Sequence, residues 1–118
     1  MKSLAVAVAV IASLSAIQAQ EVYKVGNGVS APVVIRQVNP EYTPEALAAR
    51  IEGVVDVETV VHADGTVGDV KIVKSLDNIL GLDREALKAA KEWRFRPGTK
   101  DGRAVAVSVT VEMRFTLK

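Results

Sequence analysis

The chain has 118 residues, enough for one domain and a tail. At 49% hydrophobic and 25% charged residues it has a globular composition, and disorder is excluded as the default. A net charge of +1, no cysteine and a single histidine, His62, exclude a broad nucleic-acid footprint, disulfides, thiolate chemistry and a His-based metal cluster or triad.

Residues 1–19 read as a signal peptide. Lys2 is a short positive region, and Leu4 to Ile17 is a 14-residue apolar run apart from Ser13 and Ser15. A membrane-spanning helix needs about 20 residues, so the length class is that of a signal segment. Cleavage after Ala19 removes Lys2 and leaves equal numbers of positive and negative side chains. Residues 20–32 are expected to be a flexible leader with a turn at Gly26-Asn27-Gly28. The folded domain is expected over 33–118.

Thr43-Pro44-Glu45 starts a helix: a capping hydroxyl, a proline suited to the first position and an acid at the positive end of the dipole. The helix is expected to run to Glu52, with Leu47 and Ile51 one turn apart and Gly53 as its stop. Val54 to Ala63 is a strand, with Val55, Val57, Thr59 and Val61 on one face. Asp64-Gly65 signals a type I′ hairpin turn to a return strand over Val67 to Lys74. Leu82 to Trp93 is an amphipathic helix with Leu82, Ala86, Ala89, Ala90 and Trp93 in one stripe. Asp83 and Glu85 fall in its first turn. Pro97-Gly98 and Asp101-Gly102 punctuate a connector. From Val105 to Leu117 every second residue is apolar, with Ala104, Ala106, Ser108, Thr110, Glu112, Arg114 and Thr116 on the opposite face.

The order helix–strand–strand–helix–strand predicts an α+β fold: a small three-stranded antiparallel or mixed sheet, spatial order 2-1-3, with both helices on one face. The last strand is then an edge, long and poor in charge. Natural proteins usually avoid such an edge unless it accepts a partner.

Several segments together resemble the TonB C-terminal domain family. They are Asn39-Pro40-Glu41-Tyr42-Thr43-Pro44-Glu45-Ala46, Glu52-Gly53-Val54-Val55, Asp64-Gly65-Thr66-Val67, Leu82-Asp83 through Ala86-Leu87, Glu92-Trp93-Arg94-Phe95-Arg96-Pro97-Gly98 and Lys100-Asp101-Gly102. The resemblance covers about 33–117. It implies a periplasmic domain that binds a peptide from a TonB-dependent outer-membrane receptor. That peptide would add as a strand along the last strand, touching Ala104, Ala106, Ser108, Thr110, Glu112 and Arg114. Val38, Asn39, Pro40 and Tyr42 map onto a second contact of the family.

Residues 1–32 have no histidine and one proline, unlike the family's membrane helix and Pro-rich spacer. Coupling to inner-membrane motor proteins is therefore expected through another subunit. The alternatives are a self-associating envelope subunit, a homodimer through the last strand, or a short membrane-anchored TonB-like subunit. No nucleic acid, cofactor, metal or enzymatic activity is expected. Asp56 and Glu58 share a strand face without an implied pocket. Lys88, Lys91, Arg94, Arg96, Lys100 and Arg103 form a basic bias, read as a solvated face or a steering patch. Trp93 is expected in the core.

Overall fold

In the computed structural model, residues 21–118 are described; the segment expected to be a signal peptide, residues 1–19, lies outside them. The elements are β1 (Val22–Lys24), β2 (Val33–Arg36), α1 (Pro44–Ala48), β3 (Gly53–Val61), β4 (Val67–Lys74), α2 (Leu82–Ala90), β5 (Arg94–Arg96), β6 (Thr99–Lys100), β7 (Arg103–Ala104) and β8 (Ala106–Phe115).

The α+β class and the 2-1-3 arrangement of the long strands hold. β3 lies between β4 and β8, antiparallel to both, with Gly53 opposite Phe115 and Val61 opposite Val107. The strand count is larger than expected. β1, within the segment read as a flexible leader, pairs parallel with β8: Val22 opposite Ala106, Tyr23 opposite Val107, Lys24 opposite Ser108. The main sheet therefore has four strands in the order β1-β8-β3-β4. Two short ribbons, β2 with β5 and β6 with β7, complete the fold. The alternation that suggested one unbroken strand from Ala104 stops at Val105. Ala104 belongs to the β6–β7 ribbon, paired with Thr99.

One face of the sheet carries the core. Val55, Val57, Thr59 and Val61 of β3 are buried, as are Val107, Val111, Met113 and Phe115 of β8. α2 covers this face with Leu82, Ala86, Ala89 and Ala90, and Trp93 closes it beyond the helix end. α1 contributes Ala46. Fully burying a large aliphatic side chain is worth about 1.5–3 kcal/mol, so this single face dominates the stability of the domain.

Local chemistry sets the ends of the elements. Thr43 caps α1: its Oγ1 accepts from the Ala46 N–H at 3.2 Å and donates to the Leu80 carbonyl at 2.6 Å, tying α1 to the loop before α2. α1 ends at Ala48, short of the expected Glu52. The Arg50 N–H returns to the Leu47 carbonyl and the Ile51 N–H to the Ala46 carbonyl, a Schellman closure with Arg50 at φ +57 where glycine is usual. Leu47 stays in the helix, 51% exposed, while Ile51 lies beyond its end and packs against the core, so the Leu47–Ile51 stripe does not form.

The Asp64-Gly65 turn is also not the expected type I′, which needs positive φ at both central residues. Only Gly65 has it, at +87. The His62 N–H meets the Thr66 carbonyl at 2.8 Å and the Gly65 N–H meets the His62 carbonyl at 2.8 Å, giving a three-residue loop. Asp64 Oδ1 accepts from the Thr66 hydroxyl at 2.6 Å and its N–H at 3.0 Å, which holds the carboxyl below its ordinary pKa. The type I′ turns lie elsewhere, at Asn27-Gly28 and Asp101-Gly102, where both residues have positive φ.

Two carboxylates organise the loop before α2. Asp77 accepts from the Ile79, Leu80 and Leu82 N–H groups at 3.1, 2.9 and 3.1 Å. Asp83, expected to serve its own helix terminus, instead reaches back to the Leu76 and Asp77 N–H groups and the Ser75 hydroxyl. The Leu80 bond, followed by those to Leu82 and Ile79, outweighs burial and lowers the Asp77 pKa. A lowered native pKa adds stability above the unfolded carboxylate pKa of about 3.9, and that stability is lost as pH falls through the native value. Urea denaturation at stepped pH is expected to show this loss below about pH 4. In Asp77→Asn one oxygen can keep Ile79 and Leu80, but an amide NH2 then faces the Leu82 N–H. The variant is expected to lose about 1.5–3 kcal/mol at neutral pH, together with that part of the acid dependence.

Candidate strand-accepting site

The strand edges of the domain differ in how open they are to another chain. The outer edge of β4 carries Asp69, Lys71 and Lys74, and its pairing with β3 is broken by two irregularities. Charges and bulges are the usual defences of an edge. β2 is only four residues long. β8 is ten residues long, and β1 covers only Ala106 to Ser108 of its outer side. From Val109 to Phe115 that side has no strand partner among the described residues.

The bare stretch faces a groove of about 250 Å³ lined by Gln37, Val38, Asn39, Pro40, Trp93, Glu112, Met113 and Arg114. The fold thus brings Val38, Asn39 and Pro40 together with Glu112 and Arg114. Trp93 holds the groove in place: its buried indole N–H donates to the Val38 carbonyl at 2.8 Å. The ring also lies 6.1 Å from that of Phe95. Glu112 and Arg114 form an ion pair at 3.0 Å with both side chains more than half exposed. Such a pair is worth about 0–1 kcal/mol, so either partner can re-pair with an incoming strand at little cost. Ser108 and Thr110 line a second hollow with Lys24, Val25, Glu58 and Val109, where β1 ends and the bare edge begins.

Three residues are placed elsewhere. Tyr42 donates its hydroxyl to the Ile51 carbonyl at 2.7 Å and sets its ring edge-on to Phe115 at 5.4 Å. Burial, and then the charge of Glu52, raise its pKa. Ala104 sits in the β6–β7 ribbon. Ala106 is 1% exposed and lies opposite Val22 of β1.

Two residues of the basic bias have defined contacts. Arg94 donates to the Lys91 and Trp93 carbonyls beyond the end of α2, and Lys100 lies 4.8 Å above the Tyr23 ring. Among the described residues no group of His, Asp or Glu could hold a metal ion, and no helix is long and apolar enough to cross a membrane. Gln37, Met113, Lys24 and Val25 are lining residues that the sequence pattern did not single out. The link from Trp93 to Val38 had one signal: a buried indole N–H needs an acceptor.

A four-stranded mixed sheet covered by helices, with one long, partly bare strand beside a groove, defines a small α+β domain. The family model for the Gram-negative bacterial TonB protein C-terminal matches residues 38–117, and the chain belongs to that family. It is 36% identical over 91 residues to Protein TonB of Xanthomonas campestris pv. campestris (strain B100), covering 76% of this chain and 40% of that protein. To Protein TonB of Escherichia coli (strain K12) it is 33% identical over 87 residues, covering 74% of this chain and 36% of the relative. The solution NMR structure of the Pseudomonas aeruginosa TonB CTD superposes with a TM-score of 0.56 at 29% identity, covering 80% of this chain and 93% of that one. The chain spans less than half the length of these curated relatives.

Proposed function

We propose that this chain is an exported periplasmic domain that captures a short peptide from a TonB-dependent outer-membrane receptor, in service of energy-coupled transport across the outer membrane. The peptide adds as a strand along the outer edge of β8, entering at the bare length Val109–Phe115, and its flank lies in the groove formed by Val38, Asn39, Pro40, Glu112 and Arg114. The observation that carries the reading is the bare length of β8 beside that groove. Unpaired main-chain groups on such an edge supply affinity, and alternate side chains supply specificity.

An NMR titration with synthetic peptides copied from the periplasmic N-termini of receptors of the same cell tests this. Saturable shifts are expected at Val109–Phe115 and at Gln37–Pro40. Shifts absent at both, across the receptor set, overturn peptide capture. Concentration-dependent broadening of Val109–Phe115 in the peptide-free protein would instead favour a homodimer through β8.

A further inference from the structure

We infer that β1 is an intramolecular stand-in for the partner strand: it occupies the first part of the β8 edge and swings away when a peptide takes the full edge. The inference rests on the strand-addition reading above and names the regulation of that site.

The segment from Val22 to Ser30 is divided sharply between anchored and loosely held residues. Val29 is 7% exposed and bridges to Lys100. The Ser30 N–H donates to the Thr99 carbonyl at 2.9 Å, and the Thr99 N–H to Ser30 Oγ at 2.9 Å. These bonds fix the chain at Val29–Ser30. Upstream comes a tight turn, with Gly26 and Val29 exchanging both backbone bonds and φ values of +109, +51 and +87 at Gly26, Asn27 and Gly28. Two glycines permit other backbone states here without steric cost.

Beyond this hinge β1 buries little. Val22 is 47% exposed, Lys24 is exposed, and the Tyr23 hydroxyl bonds only to the exposed neighbour Glu21. Its hold on the domain is three residues of parallel pairing and the Lys100–Tyr23 contact. A three-residue edge strand in which only the central Tyr23 is half-buried belongs to the least stable class of local structure.

The position of β1 gives this looseness a consequence. It lies on the same side of β8 as the bare stretch, and its end, at Lys24 and Val25, meets that stretch at Val109. A partner strand running the length of β8 collides with it. A partner confined to Val109–Phe115 forgoes the pairing at Ala106–Ser108. Competition by β1 lowers the apparent affinity by the fraction of molecules in which the edge is open. The edge is also shielded from non-specific pairing while no partner is present.

The absence of cysteine permits a clean test on the full chain. Lys24 and Ser108 are strand neighbours, and adjacent strands lie about 4.8 Å apart, within the Cα separation of about 4.4–6.8 Å that a disulfide spans. In the Lys24→Cys/Ser108→Cys variant, oxidation is expected to weaken binding of the best receptor peptide at least tenfold, and a thiol reductant to restore it. Tyr23→Pro, which breaks β1 without touching β8, is expected to tighten binding severalfold. Native-state hydrogen exchange of the unmodified chain is expected to show Val22–Lys24 opening at least tenfold more readily than the β3–β8 ladder. Equal affinity in the oxidised and reduced forms overturns the inference and leaves peptide capture standing. So does β1 exchange that occurs only with global unfolding. A chain that binds no peptide even as Tyr23→Pro overturns strand addition itself, and the stand-in role with it.

Discussion

Gly65→Ala is expected to cost the domain about 3–5 kcal/mol, a large part of the stability of a domain this size. Two separate effects add. Gly65 has φ +87, a conformation that costs an L-residue about 1–2 kcal/mol. A methyl group there would also sit 2.1 Å from the carbonyl oxygen of Phe95. That oxygen cannot retreat easily, because the Phe95 N–H donates to the Gly65 carbonyl at 2.9 Å and the Phe95 side chain is in the core. The hairpin tip must lift off β5 and release the strand that follows Trp93. Gly102→Ala is the control. Its φ is +78, but nothing lies within 4 Å of the added methyl. It is expected to lose only about 1–2 kcal/mol, the conformational part alone. Urea denaturation of both variants separates the terms, and equal losses would remove the close approach to Phe95 from the account.

The main frame was legible because it is written in periodicity. Alternation in β3 and β8 and the stripe on α2 each report one buried face, and those faces meet in one core. What was not legible depends on partners distant in sequence. β1 is three residues with no alternation to speak of, and only β8 makes it a strand. The Ala104 break is invisible in a pattern that stays apolar on every second residue. The two Asp-Gly pairs show the same limit. Asp101-Gly102 makes the two-residue turn, whereas Asp64 bonds forward to Thr66 and the loop takes three residues, with Phe95 seated against it. Asp77 falls between the patterned segments, where periodicity gives no signal, although an Asp that accepts the N–H two positions on is a known way to build a turn. At the candidate site, the sequence supplied the segments 38–42 and 104–114. Their division into a groove, a core contact at Tyr42 and a covered stretch at Ala106 needed the tertiary fold.

Trp93→Ala is expected to remove both core and site, and Trp93→Phe to separate them. The indole is 6% exposed, and its truncation leaves a cavity among Phe95, Met113 and the end of α2, costing about 3–5 kcal/mol. Phenylalanine restores most of the apolar volume but has no N–H for the Val38 carbonyl. Leaving a partly buried acceptor unpaired costs about 1–3 kcal/mol, so Trp93→Phe stays folded with a modest loss. Its structural effect falls on Gln37–Pro40, because that bond is what fixes the segment against the helix end. Peptide titration of Trp93→Phe is then expected to keep the shifts along Val109–Val111, reduce those at Gln37–Pro40, and weaken binding about three- to tenfold, the equivalent of roughly 1 kcal/mol. Unchanged affinity with a visibly loosened Val38 segment would show that the groove only borders the edge, and that main-chain pairing along β8 carries recognition alone. Lost shifts on β8 as well would show the opposite: the edge accepts a strand only when Trp93 holds the neighbouring wall in place.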